Sequence, residues 1–310
     1  MRQSKVGFFG TPEFAADLLE KIIATLPVDI SFVVTQPDAP IGRKKIITPS
    51  LVKQIAQKHG IKIYESLEIP ESEFKKIDLA IIYYYGKIIP RRFLDFPKYG
   101  FWNIHFSRLP QYRGPTPATF SLIMGDTQTA VSLVLTHAKM DYGPLISQDI
   151  VSIDDQTTRL ELEKKLHDML PGILEREFNN IKINTQKLSE QDHDKATYTL
   201  FPTRDHGFVS IETLKKAMNN EPLTTNEIPS LIKDYLEKNK IDDGSIDLQN
   251  SGKVIFNYYR GLHFWPGIWT KVYGKRMKIL DAGFENSRFA IKMSQFEGKT
   301  PEPFRSIIEI

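Results

Sequence analysis

The sequence predicts an α/β protein in which a mainly parallel sheet, covered by helices, is followed by a smaller β-rich domain. Three observations carry this. Short apolar runs alternate with helix-period segments through the first half of the chain. The run "DLAIIYYY" is apolar without alternation, as a strand buried on both faces should be. From Val254 onward the pattern changes to short strands and turns. At 310 residues the chain exceeds one ordinary core, so two domains are expected.

Taken in order, "KVGFF" (5–9) reads as a short buried strand. "TPEFAADLLEKIIATL" (11–26) reads as a helix: Thr11 can cap it, Pro12 suits its first turn, and Phe14, Leu18, Leu19 and Ile22 share a face. "ISFVVTQ" is a strand, and "PSLVKQIAQKHG" a helix capped by Ser50 and ended by Gly60. "IKIYE", "DLAIIYYY" and "GFWNIH" are strands, so the β-α-β rhythm implies a parallel sheet whose ligands collect at the carboxyl ends of strands. "ATFSLIMGD" is a helix, "AVSLVLTHA" a strand, and "KMDYGPLISQDIVSI" a turn followed by an extended segment. "TRLELEKKLHDMLPGILEREFNNI" is one long amphipathic helix. The expected domains are residues 1–185, a polar linker over 186–204, and 205–310, the last with a helical insertion at about 208–245.

Composition narrows the function classes. With 41 basic and 38 acidic residues, the net charge of +3 announces no nucleic-acid binder, so any such role rests on local basic clusters. The absence of cysteine removes disulfides, thiolate metal sites and a cysteine nucleophile, and fits a cytoplasmic protein. No apolar window suits a signal peptide or a membrane span. "GFFGTPEFA" lacks the G-x-G-x-x-G spacing of a dinucleotide loop. Seven scattered histidines without H-E-x-x-H spacing give no metal site, and there is no G-x-S-x-G elbow.

What remains is "NIHFSRLPQYRGPTPA" (103–118) and the acidic turn "MDYGP". Residues i and i+2 of a strand share a face, so Asn103 and His105 point the same way at a strand's end. One reading is structural: both side chains bond neighbouring backbone, and Asp141 caps a turn. The other is chemical. Acyl transfer to an amine needs a donor to hold the developing oxyanion and a group to take the amine proton. Asn103 supplies an amide N–H, His105 exchanges protons near neutrality, and Asp141 can orient the imidazole.

These stretches resemble the signature of the 10-formyltetrahydrofolate-dependent formyltransferases, N-x-H-x-S-x-L-P…R-G with a later D-x-G turn. "FFGTPEFA", "VVTQPDAPIGRKK" and "YYRGLHFWPGIWTKVYGKRMKIL" narrow the likeness to the methionyl-tRNA formyltransferase family. That resemblance implies a Rossmann-like catalytic domain and a C-terminal OB-like barrel that helps hold tRNA. It implies that Asn103 and His105 bind and polarise the formyl group of 10-formyltetrahydrofolate while Asp141 assists proton transfer. It places Ser107, Arg108, Leu109 and Pro110 along the folate, with Tyr85, Gly86 and Ile88 bordering the pterin. The implied partner is initiator methionyl-tRNA, with no membrane, no metal and a monomeric enzyme. Phe106 departs from the family, which usually has a small residue there; Arg108 replaces an apolar one, and Tyr142 a small residue or threonine.

Two basic stretches suit RNA. In "PDAPIGRKK" proline and glycine are expected to prevent regular structure, so that Arg43, Lys44 and Lys45 meet phosphates at a loop tip. In the C-terminal domain Phe264, Trp265 and Trp269 read mostly as core aromatics of a five-stranded barrel. Arg260, Lys271, Lys275, Arg276 and Lys278 then form a basic surface beside them. Two other functions share the central motif: formyl transfer to a nucleotide-linked amino sugar, and RNA binding without catalysis. The basic loop and C-terminal segment argue against the first, and the intact Asn103, His105 and Asp141 against the second.

Overall fold

The computed structural model describes residues 3–42 and 44–305. Its first elements are β1 (Ser4–Phe9), α1 (Glu13–Thr25), β2 (Val28–Val34), β3 (Ala39–Ile41) and β4 (Ile46–Thr48). Then come α2 (Leu51–Lys58), β5 (Lys62–Tyr64), α3 (Glu71–Phe74), β6 (Leu79–Ile82), α4 (Arg91–Leu94) and β7 (Phe101–His105). α5 (Pro117–Ile123), β8 (Gln128–Leu135), β9 (Leu145–Ser152), α6 (Arg159–Asp168) and α7 (Leu170–Lys182) follow. The remaining elements are α8 (Ile211–Asn219), α9 (Ser230–Asn239), α10 (Ser251–Leu262), β10 (Ile268–Val272), β11 (Lys275–Glu285), β12 (Arg288–Phe296) and β13 (Glu302–Pro303).

Seven strands make one sheet in the order β5-β2-β1-β6-β7-β8-β9. β1 pairs in parallel with β2 and β6, β2 with β5, and β6 with β7, whereas β7 and β8 are antiparallel. The order runs outward in opposite directions from β1 and β6, which makes their carboxyl ends a switch point of the kind that opens a ligand crevice. Phe9, Phe32, Phe74, Ile82, Phe93 and Phe101 pack into an aromatic-rich core below that edge. Residues that alternate along β7 therefore reach the crevice only at its last turn of chain.

The chain divides into two compact units: Met1–Pro110 with Ala130–Asp149 and Lys165–Lys195, and Gln111–Thr129 with Ile150–Lys164 and Ala196–Ile310. Where the sequence suggests one linker over 186–204, the chain passes between the units at five places. In the second unit, β10 to β13 form a four-stranded antiparallel sheet, and Ile255, Phe256, Tyr258 and Tyr259 of α10 belong to a core shared with α8, α9, β11 and β12.

Several expectations need correction. "VIFNYYRG" lies in α10 rather than in strands, which also leaves four strands among the described residues where five were expected. Every residue of α10 except Lys253 is buried, so the helix carries no polar stripe to reveal its period. The expected helix over 158–181 is two, α6 and α7, with Pro171 in the first turn of α7 because proline cannot continue a helix from within. Ala39–Ile41 and Ile46–Thr48 pair as antiparallel strands, where an irregular loop was expected. Thr11 does not cap α1; its hydroxyl accepts the backbone N–H of Gln36 instead. Ser50 does cap α2, accepting from Lys53 N.

Candidate active site

β7 ends with Asn103 and His105, and the turn after β8 brings Asp141 to them. Asn103 Nδ2 donates to Asp141 Oδ1 at 3.1 Å, and Asp141 Oδ2 lies 3.6 Å from His105 Nδ1. One carboxylate thus spans both side chains. The side chains of His105 and Asp141 are 5% and 9% exposed, so their mutual attraction is weakly screened.

The turn is built to aim that carboxylate. Asp141 takes φ 52°, a left-handed conformation that few side chains accept, and Gly143 follows two residues later. A Cβ on Gly143 would sit 1.8 Å from the carbonyl oxygen of Leu135, so only glycine lets the turn lie against β8. Gln191 then ties the turn down from the inside. Its Nε2 donates to the carbonyls of Asp141 at 2.8 Å and Gly143 at 2.6 Å, and the residue is 6% exposed. Sequence reading misses Gln191, because it sits in a polar stretch that resembles a linker.

The segment beyond His105 is held similarly. Ser132 Oγ donates to the carbonyl of Ser107 at 2.7 Å, while Gln148 Nε2 donates to Leu109 O at 2.9 Å and to Ser132 Oγ at 3.0 Å. Ser132 pairs with His105 across β7 and β8, so the partner strand sets the path of "SRLP". Among the residues expected along a folate, Ser107 and Leu109 are buried, Arg108 is exposed, and Pro110 follows a cis peptide bond.

In the loop after β6, the Tyr85 ring is in the core, edge-on to Phe9 at 5.5 Å, and burial raises its phenol above the usual range. Gly86, at φ 78° with open space where a Cβ would stand, and Ile88, 78% exposed, form the accessible part of that loop. Tyr85 therefore offers the crevice backbone rather than ring; its carbonyl already accepts from Gln36 Nε2.

The expected RNA contacts divide. Lys44 and Lys45 are exposed between the hairpin strands, next to Ile46 and Ile47 at 62% and 64% exposure; Arg43 lies outside the described residues. Trp269, Lys271, Arg276 and Lys278 face one side of the β10–β11 pair, since Trp269 pairs with Lys278 and Lys271 with Arg276. The Arg276 guanidinium stacks 3.8 Å above the Trp269 ring; Lys275 is exposed but pairs with Val272, on the opposite side. Phe264 and Trp265, expected in the core, are 77% and 51% exposed. Arg260 is a correction of the opposite sense: it is 2% exposed, bonded to Asn257 Oδ1 and Asp154 O, because it sits on the wholly buried α10. Burial lowers its pKa to about 10.

Among the described residues, no group of three or more His, Cys, Asp or Glu is placed to hold a metal ion. No described helix is long and apolar enough to cross a membrane.

The Formyl transferase family model matches residues 4–176, and that of the Formyl transferase C-terminal domain matches 238–303. The methionyl-tRNA formyltransferase of Caldicellulosiruptor saccharolyticus is 31% identical over 279 residues, covering 88% of this chain and 77% of that protein. That of Listeria monocytogenes is 31% identical over 291 residues, covering 92% and 81%. The crystal structure of WlaRD, a sugar 3N-formyl transferase, in the presence of dTDP and 5-N-formyl-THF, superposes with a TM-score of 0.59 over 92% of this chain and 88% of its own. At 19% identity, that likeness speaks for the fold alone. With both family models matched and relatives of this identity aligned over most of their length, the chain belongs to the formyl transferase family, among the methionyl-tRNA formyltransferases.

Proposed function

We propose that this protein transfers a formyl group from 10-formyltetrahydrofolate to the amino group of initiator methionyl-tRNA, by direct attack of the amine on the formyl carbon. The observation that carries it is one Asp141 carboxylate bridging Asn103 and His105 at the carboxyl end of a parallel strand. The folate supplies a formyl group already activated on nitrogen. Gly86, Ile88 and Arg108 are exposed and fit its ring system and polar edge, while Ser107, Leu109 and Pro110 shape the wall beside them.

Asn103 carries two amide N–H donors. One is committed to Asp141, which fixes the side chain so that the other polarises the formyl oxygen and stabilises the negative charge that develops there. His105 accepts the proton released by the attacking amine, and Asp141 stabilises the imidazolium so formed. As the tetrahedral adduct collapses, the bond from the formyl carbon to the folate nitrogen breaks and the imidazolium returns that proton to the departing nitrogen, leaving tetrahydrofolate and a neutral His105. No covalent enzyme intermediate is required. Lys44, Lys45 and the Lys271–Arg276–Lys278 face hold the RNA, residues 1–185 carry the chemistry and 205–310 the second RNA surface.

The test is incubation of the purified protein with 10-formyltetrahydrofolate and either methionyl-tRNA or a nucleotide-linked amino sugar. Formyl-methionyl-tRNA is the expected product. Transfer to the sugar alone, or RNA binding without turnover, overturns the reading.

A further inference from the structure

A second cluster of titratable groups lies behind His105 and takes no part in the chemistry above. Tyr83 follows β6 directly and Phe106 follows β7 directly, so their rings stand at the ends of neighbouring strands. They meet edge to face at 5.8 Å and 65°. Tyr83 is 1% exposed, and its hydroxyl lies 3.1 Å from Nδ1 of His167, itself 2% exposed. Nε2 of His167 lies 2.6 Å from Asp17 Oδ2. The same carboxylate oxygen receives Lys21 Nζ at 2.6 Å, one turn further along α1. Phe14 packs on the imidazole at 4.8 Å and on Tyr84 at 6.4 Å, and Tyr84 returns to Phe106 at 6.2 Å.

The direction of this chain follows from its ends. A carboxylate accepts only, so Nε2 of His167 carries the proton shared with Asp17. In the neutral imidazole Nδ1 is then the acceptor, and the Tyr83 hydroxyl donates to it. Burying a carboxylate-linked imidazole and a phenol behind a reaction centre costs desolvation that a phenylalanine at 83 would avoid. What the polar version supplies is direction: the hydroxyl lies on the ring axis, so its bond to His167 fixes where that axis points, and packing against His167 and Phe106 sets the ring plane.

We infer that Asp17, His167 and Tyr83 are positioning residues for the transfer. The relay fixes the Tyr83 ring, the ring fixes Phe106, and Phe106 fixes the backbone that presents His105. The inference rests on His105 as the proton acceptor proposed above. It also gives Phe106 a role: the bulk that departs from the family pattern is the contact through which the relay acts.

The test is a double-mutant cycle with an independent structural readout. Tyr83→Phe removes the hydroxyl and keeps the ring; it should lower kcat about fivefold, the equivalent of one neutral hydrogen bond, with KM for both substrates unchanged. Phe106→Ala should lower kcat at least as much, and the double variant should be no slower than Phe106→Ala alone. Losses that multiply overturn the coupling through Phe106. His167→Gln, which can still bridge Asp17 and Tyr83, should recover most of the activity lost in His167→Ala; equal loss overturns the relay. Amide hydrogen exchange over residues 104–107 should rise several-fold in Tyr83→Phe, read on the free protein whether or not it formylates RNA. Unchanged exchange overturns the inference, whereas a wild type without turnover overturns the proposed reaction and leaves exchange to decide the relay.

Discussion

The side-chain amide of Asn103 donates to Asp141 across 3.1 Å, although 38 residues separate them along the chain. Closing that distance takes a strand, a crossing helix, a partner strand and a strained turn, and the same carboxylate faces His105. Each group is therefore oriented before substrate arrives, which is the condition for strong electrostatic catalysis. Asn103→Ala and His105→Ala should each lower kcat by about 10²–10³-fold, the usual loss for an oxyanion donor or a general base. Affinity for tRNA should stay within twofold in both, as measured by filter binding beside single-turnover formylation. Near wild-type turnover in either would remove that residue from the chemistry.

Gly143 makes a separate prediction, because its constraint is steric and not chemical. A methyl at this position meets the Leu135 carbonyl at 1.8 Å, a backbone atom that cannot swing aside. Gly143→Ala should lower stability by about 1–3 kcal/mol through overpacking. Activity should fall further than stability explains, since the displaced turn carries Asp141. Thermal melting and kcat measured on the same preparation check this; a stable variant with unchanged kcat shows that the turn tolerates movement.

Much of the arrangement was legible in the sequence, and what was not shares a physical cause. Period-2 geometry put Asn103 and His105 on one face, and the "MDYGP" turn identified Asp141. Supporting residues gave no such sign. Gln191 acts through backbone carbonyls, and no side-chain pattern encodes where a folded carbonyl will be. Ser132 has no mark in the sequence beyond that of a polar residue in a strand, because only its register opposite His105 gives it a part. Arg260 reads as a surface cation for a related reason: a helix buried on every side loses its polar stripe, so nothing in the sequence marks an arginine on it as buried.

Asp126 links the second unit to pH. Burial raises its carboxyl to about 6 from the ordinary value of 3.8, against the opposing hydrogen bond from Tyr112 and the charge of Arg260. A raised acid binds its proton more tightly in the folded state, so stability from this group is greatest at low pH and is lost as pH rises through 6. The difference is on the order of 2–3 kcal/mol between the two limits. Asp126→Asn should accordingly be more stable than wild type at pH 7 and lose that advantage below pH 4. Urea unfolding across this range measures it; a constant difference between the two proteins at every pH would assign the effect to packing instead.

The basic residues separate into those that meet RNA and those that hold the fold, and salt distinguishes them. Lys44 and Lys45 are exposed on the β3–β4 hairpin, so replacing both with alanine removes two cations that neutralise phosphates without disturbing a core. Binding should weaken, and the slope of log K against log salt should flatten by about 1–2, roughly one for each phosphate that is no longer neutralised. Arg260, by contrast, is buried against Asn257 and the Asp154 carbonyl. Arg260→Ala should destabilise the protein by about 1–3 kcal/mol, because it removes the donor to the buried Asn257 side-chain oxygen and to the Asp154 carbonyl. At temperatures where that variant remains folded, its salt slope should match wild type. A flattened slope in Arg260→Ala with unchanged stability would place Arg260 on the RNA surface and reverse this assignment.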